Sequence, residues 1–266
     1  MDTVGALRAI MDGMRSRRRV LVAYSGGVDS ALVARLAHDA LGRDAVAMIT
    51  DSETLPRREL DHARRISLEI GIEMRTVAAS ELALPGYAAN PSNRCYFCRQ
   101  GLSSILLPLA REGGFAIADG VHRGDLGDDR PGLRAMDEAG FWHPLLEAGL
   151  DKAGVRRLAR EVGLSCWDRP SNACLSSRIS HGELITVESL RRVEAAEDYL
   201  LSLGFRQVRV RHRAGAARVE VGADEVPRLL TAGVAEAVRA RLAQMGFVDV
   251  ALDPNGYRAP VSELPV

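Results

Sequence analysis

Lysine is all but absent from this sequence. Among 35 basic residues only Lys152 is a lysine, and the others are arginines. A Walker-type phosphate loop, which carries its lysine within the loop, is therefore excluded. Net charge is absent as well: 35 acidic residues balance the 35 basic ones. Bulk electrostatics thus supplies no pull toward nucleic acid or an anionic membrane. No apolar run approaches the roughly 20 residues that span a bilayer. The N-terminal stretch MDTVGALRAIMDGMRSRRR has neither the apolar segment nor the cleavage site of a secretion signal, and a cytoplasmic protein with no membrane partner is expected. Cysteines are few: Cys95, Cys98, Cys166 and Cys174. In a cytosolic chain, metal binding or catalysis is a better expectation for them than disulfides. Repeats and low-complexity tracts are missing. What is there is 266 residues, 47% hydrophobic and 26% charged, the make-up of a globular protein of one large or two modest domains.

The first half alternates strand and helix. Val20–Tyr24, Ala45–Thr50, Met74–Ala78 and Phe115–Ala118 are short apolar runs rich in β-formers. Between them, Ala31–Leu41 carries apolar residues at helical spacing, and a second helix opens at Thr54-Leu55-Pro56 and ends at Gly71. This rhythm predicts an α/β fold, a parallel sheet with flanking helices, whose ligands sit at the carboxyl ends of the strands. Asp151 is placed to cap a helix running to Glu161. A polar, proline-broken loop, LSCWDRPSNACLSSRISHGELIT, follows. The pattern then changes. A helix over Val187–Leu203, strands over Gln207–His212 and Ala217–Val221, a mostly helical Asp224–Met245 and a last strand over Phe247–Leu252 predict a smaller α+β domain. The expected domains are 1–181 and 182–266.

The most specific local signal is Ser25-Gly26-Gly27-Val28-Asp29-Ser30, between a buried strand and an amphipathic helix. Glycines let backbone amides approach phosphate and adopt positive φ, and the amides of the turn and first helical turn point at an anion. Ser25 and Ser30 add hydroxyls. Asp29 would repel phosphate directly, so it reads as a Mg²⁺ ligand or a brace for the turn. A glycine pair alone fits any strand-to-helix turn; the full hexamer in this setting is far narrower.

The hexamer resembles the signature of the PP-loop, or N-type ATP pyrophosphatase, superfamily. That resemblance implies ATP, cleaved between its α and β phosphates with Mg²⁺, and adenylylation of a substrate oxygen. It implies nucleotide contacts from Ala23, Ser25, Gly26, Gly27, Asp29, Ser30, Thr50, Asp51, Gly120 and Asp125, with Asp29 and Asp125 as magnesium ligands. At Arg123 the chain departs from the small residue or asparagine more usual there. HPLLEAGLDKAGVRRLAREVGL is also similar to PP-loop enzymes, notably tRNA thiolases and GMP synthetases. No glutaminase domain accompanies it.

Cys95 and Cys98 form a C-x-x-C at the start of a helical stretch, Phe97–Arg111, with both sulfurs on one face. A helix start favours thiolate, the state a metal needs. Buried or uncoordinated thiols remain open; a four-cysteine zinc site would also need Cys166, whose gap to Cys174 is wider than zinc knuckles use; a [4Fe–4S] cluster on Cys95, Cys98 and Cys174 is favoured, since three thiolates would leave one iron open for a sulfur atom. Cys166, beside Trp167, reads as a packed small hydrophobe. In Arg209-Val210-Arg211-His212-Arg213, strand alternation gathers three arginines on one face, either a solvated face or a phosphate cradle.

Taken in order, the PP-loop, RCYFCR, DLGDDRPGL, CLSSRI and RVRHR resemble the LarE family, from about Val20 to Arg258. These are ATP-dependent sulfurtransferases acting on pyridinium-3,5-biscarboxylic acid mononucleotide in nickel-pincer cofactor biosynthesis. The resemblance implies a small-molecule nucleotide substrate, an acyl-adenylate, and a thiocarboxylate product. It implies substrate binding by Glu197, Arg209 and Arg211, and catalytic roles for Cys174, Ser177 and Arg178. It further implies sulfide or a sulfur-donor protein as partner, and a homo-oligomer. Two sulfur sources occur in the family, a sacrificed loop cysteine and a three-cysteine [4Fe–4S] cluster, and this chain matches the second. The alternatives are a tRNA 2-thiolation enzyme, against which the zero net charge counts, and a non-catalytic carrier of iron–sulfur clusters or zinc that uses nucleotide as a switch.

Overall fold

The computed structural model describes residues 3–126, 131–170 and 174–258. Chain contacts divide it into two compact units. One comprises the described residues of Met1–Glu81 and Cys95–Asn172, the other those of Leu82–Arg94 and Ala173–Pro260. Parts of the DLGDDRPGL and PSNACLSSR stretches, residues 127–130 and 171–173, lie outside the described residues.

In the first unit the chain runs α1 (Thr3–Arg17), β1 (Val20–Ala23), α2 (Val28–Leu41), β2 (Ala45–Asp51), α3 (Arg57–Ile70), β3 (Glu73–Ala78), α4 (Arg94–Gly113), β4 (Ala116–Ala118), α5 (Pro131–Glu138), α6 (Pro144–Glu147) and α7 (Lys152–Glu161). The sheet order is β3-β2-β1-β4, and the strands pair in parallel throughout. This is the doubly covered parallel sheet that the alternation predicts. Its central strands carry continuous apolar runs, VLVA and AVAMI, as burial on both faces requires. Helices α1, α2 and α7 share one core with one face of the sheet, through Ile10, Met14, Leu32, Leu36, Val155 and Leu158. Leu106, Ala110, Met136 and Phe141 pack with Leu21 and Met48 in another. Gly71 ends α3 in the left-handed conformation at φ 83°. The α1 helix has no counterpart in the sequence reading.

After α7 the chain is tied back to α3. Arg169 donates to both carboxylate oxygens of buried Glu59 at 2.7 and 2.8 Å, and the Ser165 amide donates to Glu69.

The second unit contains α8 (Val187–Ser202), β5 (Val208–Arg213), β6 (Ala216–Val221), α9 (Val226–Leu229), α10 (Ala232–Gln244) and β7 (Val250–Leu252). Thr186 caps α8 reciprocally with Ser189. The hairpin β5–β6 is antiparallel, turned by Ala214 and Gly215 at positive φ, and β7 joins β6 in parallel. Leu82–Arg94 belongs to this unit through backbone bonds from Gly182 to Asn90 and from Ile185 to Ala88, and through Tyr87, whose hydroxyl donates to Ser176 at 2.8 Å. A division at residue 182 does not foresee that excursion. Among the described residues no helix is long and apolar enough to cross a membrane.

Candidate functional site

In the first unit the site is built at the carboxyl end of β1. Ala23 closes the strand, and Gly26, at φ 74°, lets the chain turn into α2. A side chain at Gly26 would also strike α3, since its Cβ would lie 2.7 Å from Ala63 Cα. Gly27 is the N-cap of α2 and brings no side-chain cap, so no cap side chain competes with an anion for the first amides of the helix. The two hydroxyls are also engaged within the turn. Buried Ser30 donates to the Gly27 carbonyl at 3.2 Å, accepts from the Ser25 amide at 3.1 Å, and lies 3.1 Å from Ser25 Oγ. It braces the turn.

Two further segments close on this loop. At Gly120, just past β4, a Cβ would lie 2.7 Å from Ser30 N and 2.8 Å from Asp29 C; only glycine allows that approach. Asp125 accepts from the His122 amide at 3.1 Å. His122 is buried, with Nε2 3.7 Å from Asp29 and Nδ1 3.4 Å from Asp125. The sequence reading assigns His122 nothing, yet its ring stands between the two predicted magnesium carboxylates. Lys152 is the other residue missed. Its Nζ donates to both oxygens of Asp29 at 2.8 and 2.7 Å. Thr50 and Asp51 end β2, where the Asp51 carboxylate pairs with Arg57.

Behind Gly120 lies a second missed cluster. The buried ring of His143 meets Asp119 at 2.7 Å and Asp137 at 2.9 Å, and Asp119 also accepts from the Val121 amide at 3.0 Å. Burial alone would lower the His143 pKa; the hydrogen bonds and charges of Asp119 and Asp137 outweigh it and raise it. Asp119 closing a strand is the one sequence signal for this cluster.

Cys95 and Cys98 lie in the first turns of α4, Cys95 exposed and Cys98 half-buried. A Cβ at Gly132 of α5 would lie 3.6 Å from Cys95 Cβ, so α5 flanks the pair. Cys166 is buried, as a packed hydrophobe should be, and burial pushes its thiol up to about 11. None of the four cysteines is in a disulfide. Among the described residues no three His, Cys, Asp or Glu side chains form a group able to hold a metal ion.

In the second unit Cys174 precedes the 3-10 turn Leu175–Arg178. Arg178 and Glu197 are both fully buried and paired, Nε to Oε1 at 2.8 Å and Nη2 to Oε2 at 3.2 Å. Arg178 Nη1 donates to the Cys174 carbonyl at 3.1 Å and to Ser177 Oγ at 3.0 Å. Glu197 also accepts from the Val210 amide at 3.1 Å. Arg178 thus supports the Cys174 turn from behind. Arg211 joins the same turn, donating to the Ser177 carbonyl at 3.0 Å and to Glu220 at 3.1 Å. Arg209 is buried with its guanidinium 5.0 Å from the Tyr257 ring; burial and then the neighbouring Arg178 charge lower its pKa.

The model of the NAD synthase family matches residues 4–85, which hold the glycine turn. An uncharacterized protein of Synechocystis is 44% identical over 243 residues, 91% of this chain and 90% of that protein. The pyridinium-3,5-bisthiocarboxylic acid mononucleotide synthase of Lactiplantibacillus plantarum is 36% identical over 262 residues, 97% of this chain and 94% of its own. The NH(3)-dependent NAD(+) synthetase of Methanosarcina mazei is 36% identical over 59% of this chain and 72% of its own.

Proposed function

The chain belongs to the family of the pyridinium-3,5-bisthiocarboxylic acid mononucleotide synthase, and from that membership we propose that it is an ATP-dependent sulfurtransferase for the biscarboxylate mononucleotide. The carrying observation is the lysine-free turn. Gly26 and Gly27 present helix-start amides at the carboxyl edge of a parallel sheet, which suits the diphosphate half of ATP. A carboxylate oxygen of the substrate attacks the α-phosphorus, the bond to pyrophosphate breaks, and an acyl-adenylate forms. Sulfur then attacks the acyl carbon and AMP leaves with the C–O bond electrons.

Asp29 and Asp125 offer the hard oxygen donors that magnesium takes, and they flank one imidazole. When bound, magnesium would neutralise phosphate charge. As the family resemblance implies, Cys95, Cys98 and Cys174 would be the three soft thiolates of a [4Fe–4S] cluster with one open iron, a set that the described residues do not gather into a metal-binding group. When bound, the cluster would supply the sulfur; the family's other source is the Cys174 thiolate itself. Ser177 and Arg178 orient the Cys174 turn, while Arg211, with Arg209 and Glu197 behind it, faces the substrate phosphate. Thr50 and Asp51 border the adenosine. Sulfide or a sulfur-donor protein replenishes the source, and the working form is a cytoplasmic homo-oligomer.

The test is anaerobic purification with iron and sulfide analysis, then addition of ATP, Mg²⁺ and the biscarboxylate mononucleotide. Pyrophosphate release together with a product in which sulfur replaces oxygen is expected. Cys95→Ala should abolish multiple turnovers. If that variant stops after one turnover with Cys174 lighter by H₂S, the cysteine is the source and the cluster reading falls. Pyrophosphate release stimulated by tRNA, or ATP binding with none released, would replace the whole reading by tRNA thiolation or by a nucleotide-switched carrier.

A further inference from the structure

A guanidinium is buried in the second unit without a carboxylate to meet it. Arg94 is only 7% exposed. It opens α4, the end of a helix where the macrodipole disfavours a cation. Its Nη1 donates to Asn90 Oδ1 at 2.5 Å and lies 3.4 Å from Nδ1 of the exposed His181. Its Nε is buried and makes no hydrogen bond, and among the described residues no acidic side chain pairs with it. Arg178, also buried in this unit, is matched by Glu197. A buried charge left unmatched is costly, and an unmet buried donor calls for an explanation.

The surroundings of Arg94 indicate the partner. Asn90 is fully buried with left-handed backbone at φ 54°, and its amide donates to the carbonyls of Ile179 and Ser180 at 3.2 and 2.7 Å. Those two residues follow the Cys174 turn and lie against β5: Ile179 bridges to His212, and the Ser180 amide donates to the His212 carbonyl at 3.1 Å. Arg94 is thus fastened, through Asn90, to the segment that pairs beside Arg211. The substrate proposed above carries a phosphate and two carboxylates. Arg211 faces the phosphate in that reading, and one carboxylate loses its charge on adenylylation. The other carboxylate stays anionic throughout and needs a cation. We propose that Arg94 binds this second, unreacting carboxylate, displacing the His181 ring, so that the site selects a biscarboxylate over a monocarboxylate. A guanidinium suits the task, because its fork takes a carboxylate through two parallel N–H bonds and its charge cannot be titrated away. This rests on the sulfurtransferase reading above.

The experiment compares kcat/KM for pyrophosphate release with two mononucleotides that differ by one carboxylate, the pyridinium-3,5-biscarboxylic acid and the nicotinic acid mononucleotide, on the full chain. The parent is expected to favour the biscarboxylate about 10- to 100-fold, the usual worth of a charged hydrogen bond. Arg94→Gln should lose most of that preference, its rate falling with the biscarboxylate and holding with the monocarboxylate. Arg94→Lys, which keeps the charge without the fork, should retain part of it. An arginine that merely holds the fold would, when lost, depress both substrates by one factor and leave their ratio as it was; that result overturns the assignment. So does a parent protein that uses both mononucleotides equally, an outcome that requires no variant to fold. A parent that releases pyrophosphate with neither overturns the sulfurtransferase reading instead.

Discussion

At the scale of single residues, two features separate function from packing. Cys166 and Cys95 are the same chemical group in opposite settings. Burial, with Glu69 adding to it, raises the Cys166 thiol to about 11, whereas Cys95 is exposed. Thiolate is the reactive form, so in cluster-free protein a disulfide reagent at pH 8 should modify Cys95 promptly and Cys166 only as fast as the protein unfolds. Peptide mass mapping against time checks this, and early labelling of Cys166 would refute its role as a packed hydrophobe. Gly120 is the second feature. A methyl group there would press on the Asp29–Ser30 backbone from 2.7 Å. Overpacking of this kind costs about 1–3 kcal/mol, and here the strain falls on the phosphate loop. Gly120→Ala should therefore lower thermal stability modestly and weaken ATP binding by more than its stability loss would suggest, as parallel melting and calorimetry would reveal.

At the scale of elements, the loop after β4 is held from behind by His143. Its pKa is raised, the bonds and charges of Asp119 and Asp137 prevailing over burial. A raised histidine pKa means the folded state binds the proton more tightly than the unfolded chain does. The stabilisation is complete below the ordinary value of 6.5 and is lost as pH climbs through the raised one. Melting temperature should fall across that interval in the parent protein and stay flatter in His143→Gln; matching slopes would show that the imidazolium contributes nothing. The element scale also shows what the sequence makes legible. The glycine turn, the Gly71 stop and the Asp151 cap are local devices, and each lies where the sequence predicts. The pairs Lys152–Asp29, His143–Asp119 and Tyr87–Ser176 are not local. They exist only because α7 packs on α2, β4 lies beside Trp142, and Leu82–Arg94 leaves the first unit. Spacing rules do not contain that information, so Lys152, His143 and Tyr87 could not be matched to these partners from the sequence.

At the scale of the whole molecule, charge is the governing quantity. The formal net charge is zero at pH 7 with histidines neutral, so long-range self-repulsion is weak there, and short-range attraction decides how copies interact. The change with pH is lopsided. Below neutrality histidine is the side chain that ordinarily takes up protons; His143 leans that way and half-buried His62 leans against it, so net positive charge accumulates as pH falls toward 5.5. Above neutrality few kinds of side chain ordinarily titrate before pH 8, and the buried Cys166 thiol waits until about 11, so the charge barely moves between pH 7 and 8. Dynamic light scattering at low salt should accordingly give a diffusion interaction parameter that is lowest over pH 7–8 and climbs on the acid side. Added salt should flatten the acid-side rise, because screening shortens the repulsion to about 10 Å at 0.1 M. A parameter indifferent to pH would mean that patches of fixed charge, rather than the balance of the total, control association. In that case the argument from zero net charge against a nucleic-acid substrate would lose its footing as well.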